Sequence, residues 1–188
     1  DGLIRLDIIN IPDSKIVSET SKDQILLKKI VGREDVDVAS LIKRLGNSDW
    51  VKQGREYLIH SEPQCPFCQQ PLLSDIAKEL NDYFDETYEN DLSALKVARS
   101  TYEISTSKLL SELLQIAGSG NRFLDSAAFN SEIELIAQEI ELNRRQFDQK
   151  EKEPSTPVIL SNHDATLNLI MKRLLASNEA VREHNSMV

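Results

Sequence analysis

Aromatic residues are scarce in this chain: one Trp, four Tyr and five Phe make up 5% of 188 residues. Compact sandwiches and barrels draw more rings into their cores, whereas 28% charged residues suit long solvated helices. Cysteine is limited to Cys65 and Cys68, so no disulfide framework holds the fold. None is needed, because 188 residues with 40% hydrophobic content bury a core of their own. No apolar run approaches the roughly 20 residues that span a bilayer, and there is neither a charged-then-apolar leader nor a lipidation motif, so a soluble cytoplasmic chain is expected. Positive charge is also lacking. With 22 Lys and Arg against 31 Asp and Glu, the net charge of −9 repels phosphate and disfavours direct nucleic-acid binding. The sequence opens at Asp1 without a methionine and is expected to be a piece of something larger.

Catalytic signatures are missing as well. No GxxxxGK[ST] phosphate loop, GxGxxG turn, GxSxG elbow or HExxH pair occurs, so no nucleotide is expected to bind this segment by those routes. Gly118-Ser119-Gly120 follows a helical pattern rather than a strand and has no lysine after it; it is predicted to be a turn. Acidic pairs such as Glu132 and Glu134 are assigned to a solvated helix face.

What the chain does have is helical periodicity. Residues 1–35 hold short apolar runs interrupted by Pro12 and Gly32; their β-branched content allows two short strands, although QILLKKIV at 24–31 also suits a helix. Val38, Leu41, Ile42 and Leu45 keep helical spacing up to Gly46, a C′ glycine, and Asn47 or Ser48 then caps a helix carrying Trp50, Val51, Tyr57 and Leu58. Trp50 and Tyr57 share a face of it, with local core packing the expected role and a partner-binding patch the alternative. Pro63, Pro66 and Pro71 forbid regular helix across the cysteines. Beyond them Ser74 is a predicted cap, and neither Gly nor Pro occurs until Gly118, which allows 44 helical residues, about 66 Å.

Within that run Leu92, Leu95, Arg99, Tyr102, Thr106, Leu109, Leu113 and Ile116 alternate by three and four, as in a coiled-coil seam. Leu73, Ile76, Leu80, Phe84 and Tyr88 need a shifted register, so a stutter is predicted near residue 84. Residues 118–130 are predicted to reverse the chain. Ile133, Ile136, Ile140 and Phe147 mark a returning helix capped by Asn130 or Ser131, and after KEKEPSTP a last helix is built on Leu167, Ile170, Leu174 and Val181. The expected fold is mainly α: a small mixed or helical base at 1–61, a CxxC knuckle at 62–73, and a long antiparallel helical hairpin or coiled coil at 74–188 turning near 118–130.

The stretch CPFCQQPL holds the candidate chemistry. A two-residue spacer lets Cys65 and Cys68 face one Zn²⁺ at about 2.3 Å, and Pro66 stiffens the bend. Two thiolates leave the tetrahedron half filled. The other half would come from Cys65 and Cys68 of a second chain, making metal binding and dimerisation one event, or from a histidine, of which His60 is the nearest in sequence. His163 and His184 are not placed by spacing. Unmetallated thiols in a turn and a redox dithiol stay open beside zinc. CPxC before a helix resembles the thioredoxin-like pattern, with Thr156-Pro157 as the distal proline and the intervening helices as an insertion, but HSEPQ ahead of Cys65 is polar where that fold needs a buried strand.

In order and spacing, SDWVKQGREYL (48–58), QCPFCQQPL (64–72) and DYFDETY (82–88) resemble AAA-family ATPases of SMC-like architecture, the group that includes bacterial anticodon nucleases and phage-defence proteins. LNLIMKRLLASNEAVREHN (167–185) looks like the segment that returns toward the ATPase head in that group. The resemblance implies a coiled-coil insertion flanked by ABC-type heads, acting as a dimerisation or interaction arm, with Cys65 and Cys68 similar to the CxxC of the zinc hook in DNA-repair ATPases. It also implies the ATPase heads as partners in the full-length protein. Two features depart from that pattern. The family hook sits at the apex of its coiled coil, whereas here CxxC precedes the outgoing helix, and Gln69 stands where zinc knuckles commonly carry glycine.

Overall fold

The structure, a computed structural model, describes residues 4–20, 22–58, 60–61, 64–72 and 75–188. The expected cap Ser74, the seam position Leu73 and the helix-breaking Pro63 lie outside the described residues. Among those described, the chain is helical: α1 (Lys15–Thr20), α2 (Gln24–Leu27), α3 (Ala39–Leu45), α4 (Ser48–Leu58), α5 (Ile76–Tyr83), α6 (Glu86–Ala117), α7 (Ser126–Lys152) and α8 (Asp164–Ser186). The only β pairing among them is an isolated antiparallel bridge between Gln64 and Pro71. The mainly-α expectation holds. The chain forms two compact units, one of Asp1–Asp23, Arg99–Gln146 and Ile159–Val188, the other of Gln24–Ala98 and Phe147–Val158.

The first unit is built from the greater part of α6 and α7 and all of α8. Tyr102, Thr106, Leu109 and Leu113 of α6 are buried, as are Ile133, Ile136 and Ile140 of α7 and Leu167, Ile170, Leu174 and Val181 of α8, so the three-four spacing does mark the core faces. Thr106 is tolerated there because its hydroxyl donates to the carbonyl of Tyr102 at 2.7 Å. Arg144 of α7 reaches Ser107 of α6 at 3.3 Å across the pair. The reversal is shorter than expected, residues 118–125. Asp125 accepts the Ala128 amide at 3.1 Å and so caps α7 ahead of Asn130, bringing Phe129 into the core. Gly118 and Ser119 close the end of α6, and Gly120, at φ 67°, makes the turn that a glycine makes most easily.

Residues 4–14 form neither helix nor paired strand. Two asparagines of α8 take that place. Asn178 accepts the Ile9 amide at 2.7 Å and donates to the Ile9 carbonyl at 2.8 Å, and Asn185 does the same for Leu6 at 2.9 and 2.8 Å. Seven helical residues rise about 10.5 Å and three extended residues span about 10 Å, so the two periods match and the segment runs antiparallel to the helix. Of the two strands that β-branched content allowed, the first is a segment whose Leu6 and Ile9 backbone groups are satisfied by side chains, and the second region forms α2 at Gln24–Leu27.

In the second unit the predicted stutter is an actual break. α5 ends as the Phe84 amide bonds the Leu80 carbonyl, and Asp85 Oδ1 accepts the Tyr88 amide at 3.1 Å to start α6. Gly46 has φ 61° and donates its N–H back to α3, the C-terminal role predicted for it. Lys150, at the end of α7, is fully buried and donates to the carbonyls of Lys28, Pro154 and Thr156 at 2.6, 2.8 and 2.8 Å. One ammonium thus ties α2 to the KEKEPSTP segment, and burial pushes its pKa down. Asp49 of α4 completes the joint by accepting Ser155 Oγ at 2.6 Å.

Candidate functional site

Residues 64–71 form a closed bend. The Cys65 amide donates to the Gln70 carbonyl at 2.8 Å and the Gln69 amide to the Cys65 carbonyl at 2.9 Å, with Gln64 and Pro71 bridged at the mouth. Pro66 suits the second position because it fixes φ and has no donor to leave unpaired. Gln69 adopts φ 59°, the left-handed region that a zinc knuckle usually gives to glycine, and it is the single non-glycine residue in that region among those described. Its side chain offsets part of the cost, since Nε2 donates to the carbonyls of Cys65 and Pro66 at 3.2 and 3.3 Å. The departure noted in the sequence thus puts a non-glycine residue in a left-handed backbone conformation.

The bend gathers donors on one sulfur. The backbone N–H groups of Cys68 and then Phe67 face Cys65, with the Cys68 thiol beside them, and together they hold the Cys65 thiol below its ordinary pKa. Cys65 is half-buried, Cys68 exposed, and both are free. N–H groups facing a sulfur, and two thiols on one side of a bend, suit a thiophilic divalent ion such as Zn²⁺ bound by thiolates. His60 is exposed at the end of α4 with its amide on the Tyr57 carbonyl, and among the described residues no group of three His, Cys, Asp or Glu is placed to hold a metal. Among the described residues, one chain therefore offers two ligands, Cys65 and Cys68.

Around the bend the aromatic placement differs from expectation. Trp50 and Tyr57 do not enter a core; they are 58% and 60% exposed. Phe67, from the middle of the CxxC, lies over Gly54 between them, tilted against Trp50 at a centroid distance of 5.5 Å and edge-on to Tyr57 at 6.1 Å. α4 thus presents its ring-bearing face to the knuckle, and Phe67 remains 57% exposed. The spacing of Trp50 and Tyr57 showed a shared face but not what covers it.

A second polar cluster, which the sequence did not reveal, lies in the first unit. His163 is fully buried; its Nδ1 lies 3.1 Å from Glu139 Oε2, and its Nε2 2.7 Å from Tyr102 Oη and 2.9 Å from Asn143 Nδ2. Asn143 Oδ1 accepts the Ser161 amide at 2.7 Å, so its Nδ2 is the atom turned to the ring, His163 Nε2 accepts, and the proton sits on Nδ1 toward Glu139. Thr166 occupies the other Glu139 oxygen at 2.7 Å. The ring has its partners inside the fold and ties α6, α7 and α8 together. Burial raises the Tyr102 phenol to about 12. His184 is likewise engaged, accepting or donating within 3.0 Å of Arg122 and of the Ile4 carbonyl.

The helices and the bend give a helical module with two free cysteines, Cys65 half-buried and Cys68 exposed, and no phosphate-loop motif in its sequence. The profile of the AAA domain family matches residues 1–188, and the chain belongs to that family. No curated protein and no solved structure matches it. No helix among the described residues is long and apolar enough to cross a membrane.

Proposed function

We propose that this chain is a non-catalytic interaction arm of an AAA-family ATPase with SMC-like architecture, of the anticodon-nuclease or phage-defence type, whose Cys65–Cys68 knuckle joins two copies through a shared zinc ion. The observation that carries this reading is the knuckle itself: two thiols on one bend, with two amides facing Cys65 and Gln69 in the left-handed conformation. Membership of the AAA domain family supports the ATPase context, while the 188 residues contain none of the phosphate-binding motifs that would make the segment catalytic. When bound, zinc supplies a structural cross-link; the thiolates hold it, the amides around Cys65 stabilise their charge, and a second copy provides the other two sulfurs.

Zinc content and solution mass measured on one sample test this. About half an equivalent of zinc per chain, a dimer mass, and monomers after chelation are expected, because metal affinity and dimer contact are one interaction. A zinc-free monomer whose mass a chelator leaves unchanged removes the paired knuckle. The lowered Cys65 thiol favours a second reading, a thiol–disulfide oxidoreductase, which insulin reduction at Cys65 supports and absence of turnover removes. A metal-free helical scaffold is what remains if Cys65→Ser and Cys68→Ser variants keep both fold and oligomeric state.

A further inference from the structure

Trp50, Phe67 and Tyr57 form the most conspicuous aromatic exposure in a chain with ten aromatic residues in all, and the middle one lies between the two cysteines. Such clusters are the usual anchors of protein interfaces. We infer that the Trp50–Phe67–Tyr57 face is a self-association surface, covered by the same face of a second copy when two knuckles meet; the inference rests on the shared-knuckle reading and names the contact that accompanies it.

Charge and valence identify the occupant. Two copies each carrying −9 repel one another over most of their surface, yet residues 64–72 contain no Asp, Glu, Lys or Arg, and on α4, which carries Trp50 and Tyr57, Asp49 and Glu56 are balanced by Lys52 and Arg55. This is where like chains approach at least electrostatic cost. The thiols at the centre of the neutral region supply two of the four ligands a tetrahedral ion takes, so an identical pair completes the set. Size sets the strength. Three aromatic side chains of roughly 150–250 Å² each, a little over half exposed, offer about 300 Å² per copy and about 600 Å² per pair, well short of the roughly 1,200–2,000 Å² of a stable interface. The rings alone therefore give a weak dimer, and the shared metal makes it stable.

Trp50 is the sole tryptophan, so its emission reports coverage of this face without any substitution. The 188-residue chain is titrated with Zn²⁺ over a range of protein concentrations while mass by sedimentation and acrylamide quenching of Trp50 are followed together. Shielding of Trp50 that rises with the dimer fraction is expected. The double variant Trp50→Ser/Tyr57→Ser, whose positions are exposed, is expected to raise the dimer dissociation constant at least about tenfold, the loss of more than one anchor, with helicity unchanged. A dimer in which Trp50 stays fully quenchable overturns this inference and leaves the metal pairing standing. A shielded dimer that survives Cys65→Ser/Cys68→Ser upholds the aromatic face and overturns the metal pairing. A zinc-saturated chain that remains monomeric, its rings free for a partner of other sequence, overturns both.

Discussion

Replacing Gln69 separates two opposing energies in the knuckle. At φ 59° an L-residue with a Cβ is strained, by about 1–2 kcal/mol, and glycine removes that strain while adding about 0.4–1 kcal/mol of unfolded-state entropy, a net gain of about 0.5–1 kcal/mol. Against it stand two exposed bonds from Gln69 Nε2, at 3.2 and 3.3 Å, near the long end for N–H···O and worth less than about 0.5 kcal/mol each. Gln69→Gly is therefore close to neutral for closing the bend. Gln69→Ala keeps the strain and loses both bonds, so it opens the bend more readily by up to about 1 kcal/mol, which at RT ≈ 0.59 kcal/mol is about fivefold in the opening constant. Amide hydrogen exchange reads this locally, since the N–H groups of Cys65 and Gln69 are both held within the bend. At the Cys65 amide, wild type and Gln69→Gly are expected to exchange alike and Gln69→Ala about fivefold faster. Equal rates in all three, or fast exchange in Gln69→Gly alone, contradicts the assignment of a left-handed knuckle braced by the glutamine side chain.

The clamp on α8 predicts an asymmetric pair of substitutions. Asn178→Ala leaves the Ile9 N–H and C=O buried without partners and is expected to cost about 2–4 kcal/mol, whereas the part-buried Leu6 groups freed by Asn185→Ala reach water and cost about 1 kcal/mol or less, an order that urea unfolding of the two variants checks. Alkaline stability follows from Tyr102. Its folded pKa of about 12 exceeds the free value of 10.0, so its contribution is fully present below pH 10 and is lost as pH rises through 10 toward 12; Tyr102→Phe is expected to flatten that part of the stability profile. An unaltered profile in the variant assigns the alkaline loss elsewhere.

Much of the fold was legible in the residues because helical spacing and burial are the same fact seen twice. The seam from Leu92 to Leu113, except at Arg99, where Ala98 is buried instead, and the returning faces of α7 and α8 point inward as their periods require, and even the register change at Phe84 appears as the gap between α5 and α6. Less legible were features set by side chains distant in sequence. Asn178 and Asn185 look like ordinary polar helix residues until Ile9 and Leu6 are laid against them, and Lys150 reads as part of a solvated charge run although three carbonyls enclose it. At the candidate site, CPFC gave the bend, but Gln69 hid its left-handed backbone behind an unusual residue type. Trp50 and Tyr57 were expected to pack inward because large rings usually do; they meet Phe67 of the CxxC bend instead, and all three stay more than half exposed.

Cobalt titration of the reduced chain tests the shared knuckle most directly, because Co²⁺ occupies zinc sites and its spectrum counts thiolate ligands. Saturation at about half an ion per chain with an all-thiolate spectrum, lost in Cys65→Ser, is expected if four sulfurs from two knuckles surround one ion. Saturation at one ion per chain with a mixed ligand set, or no thiolate signal at all, contradicts it.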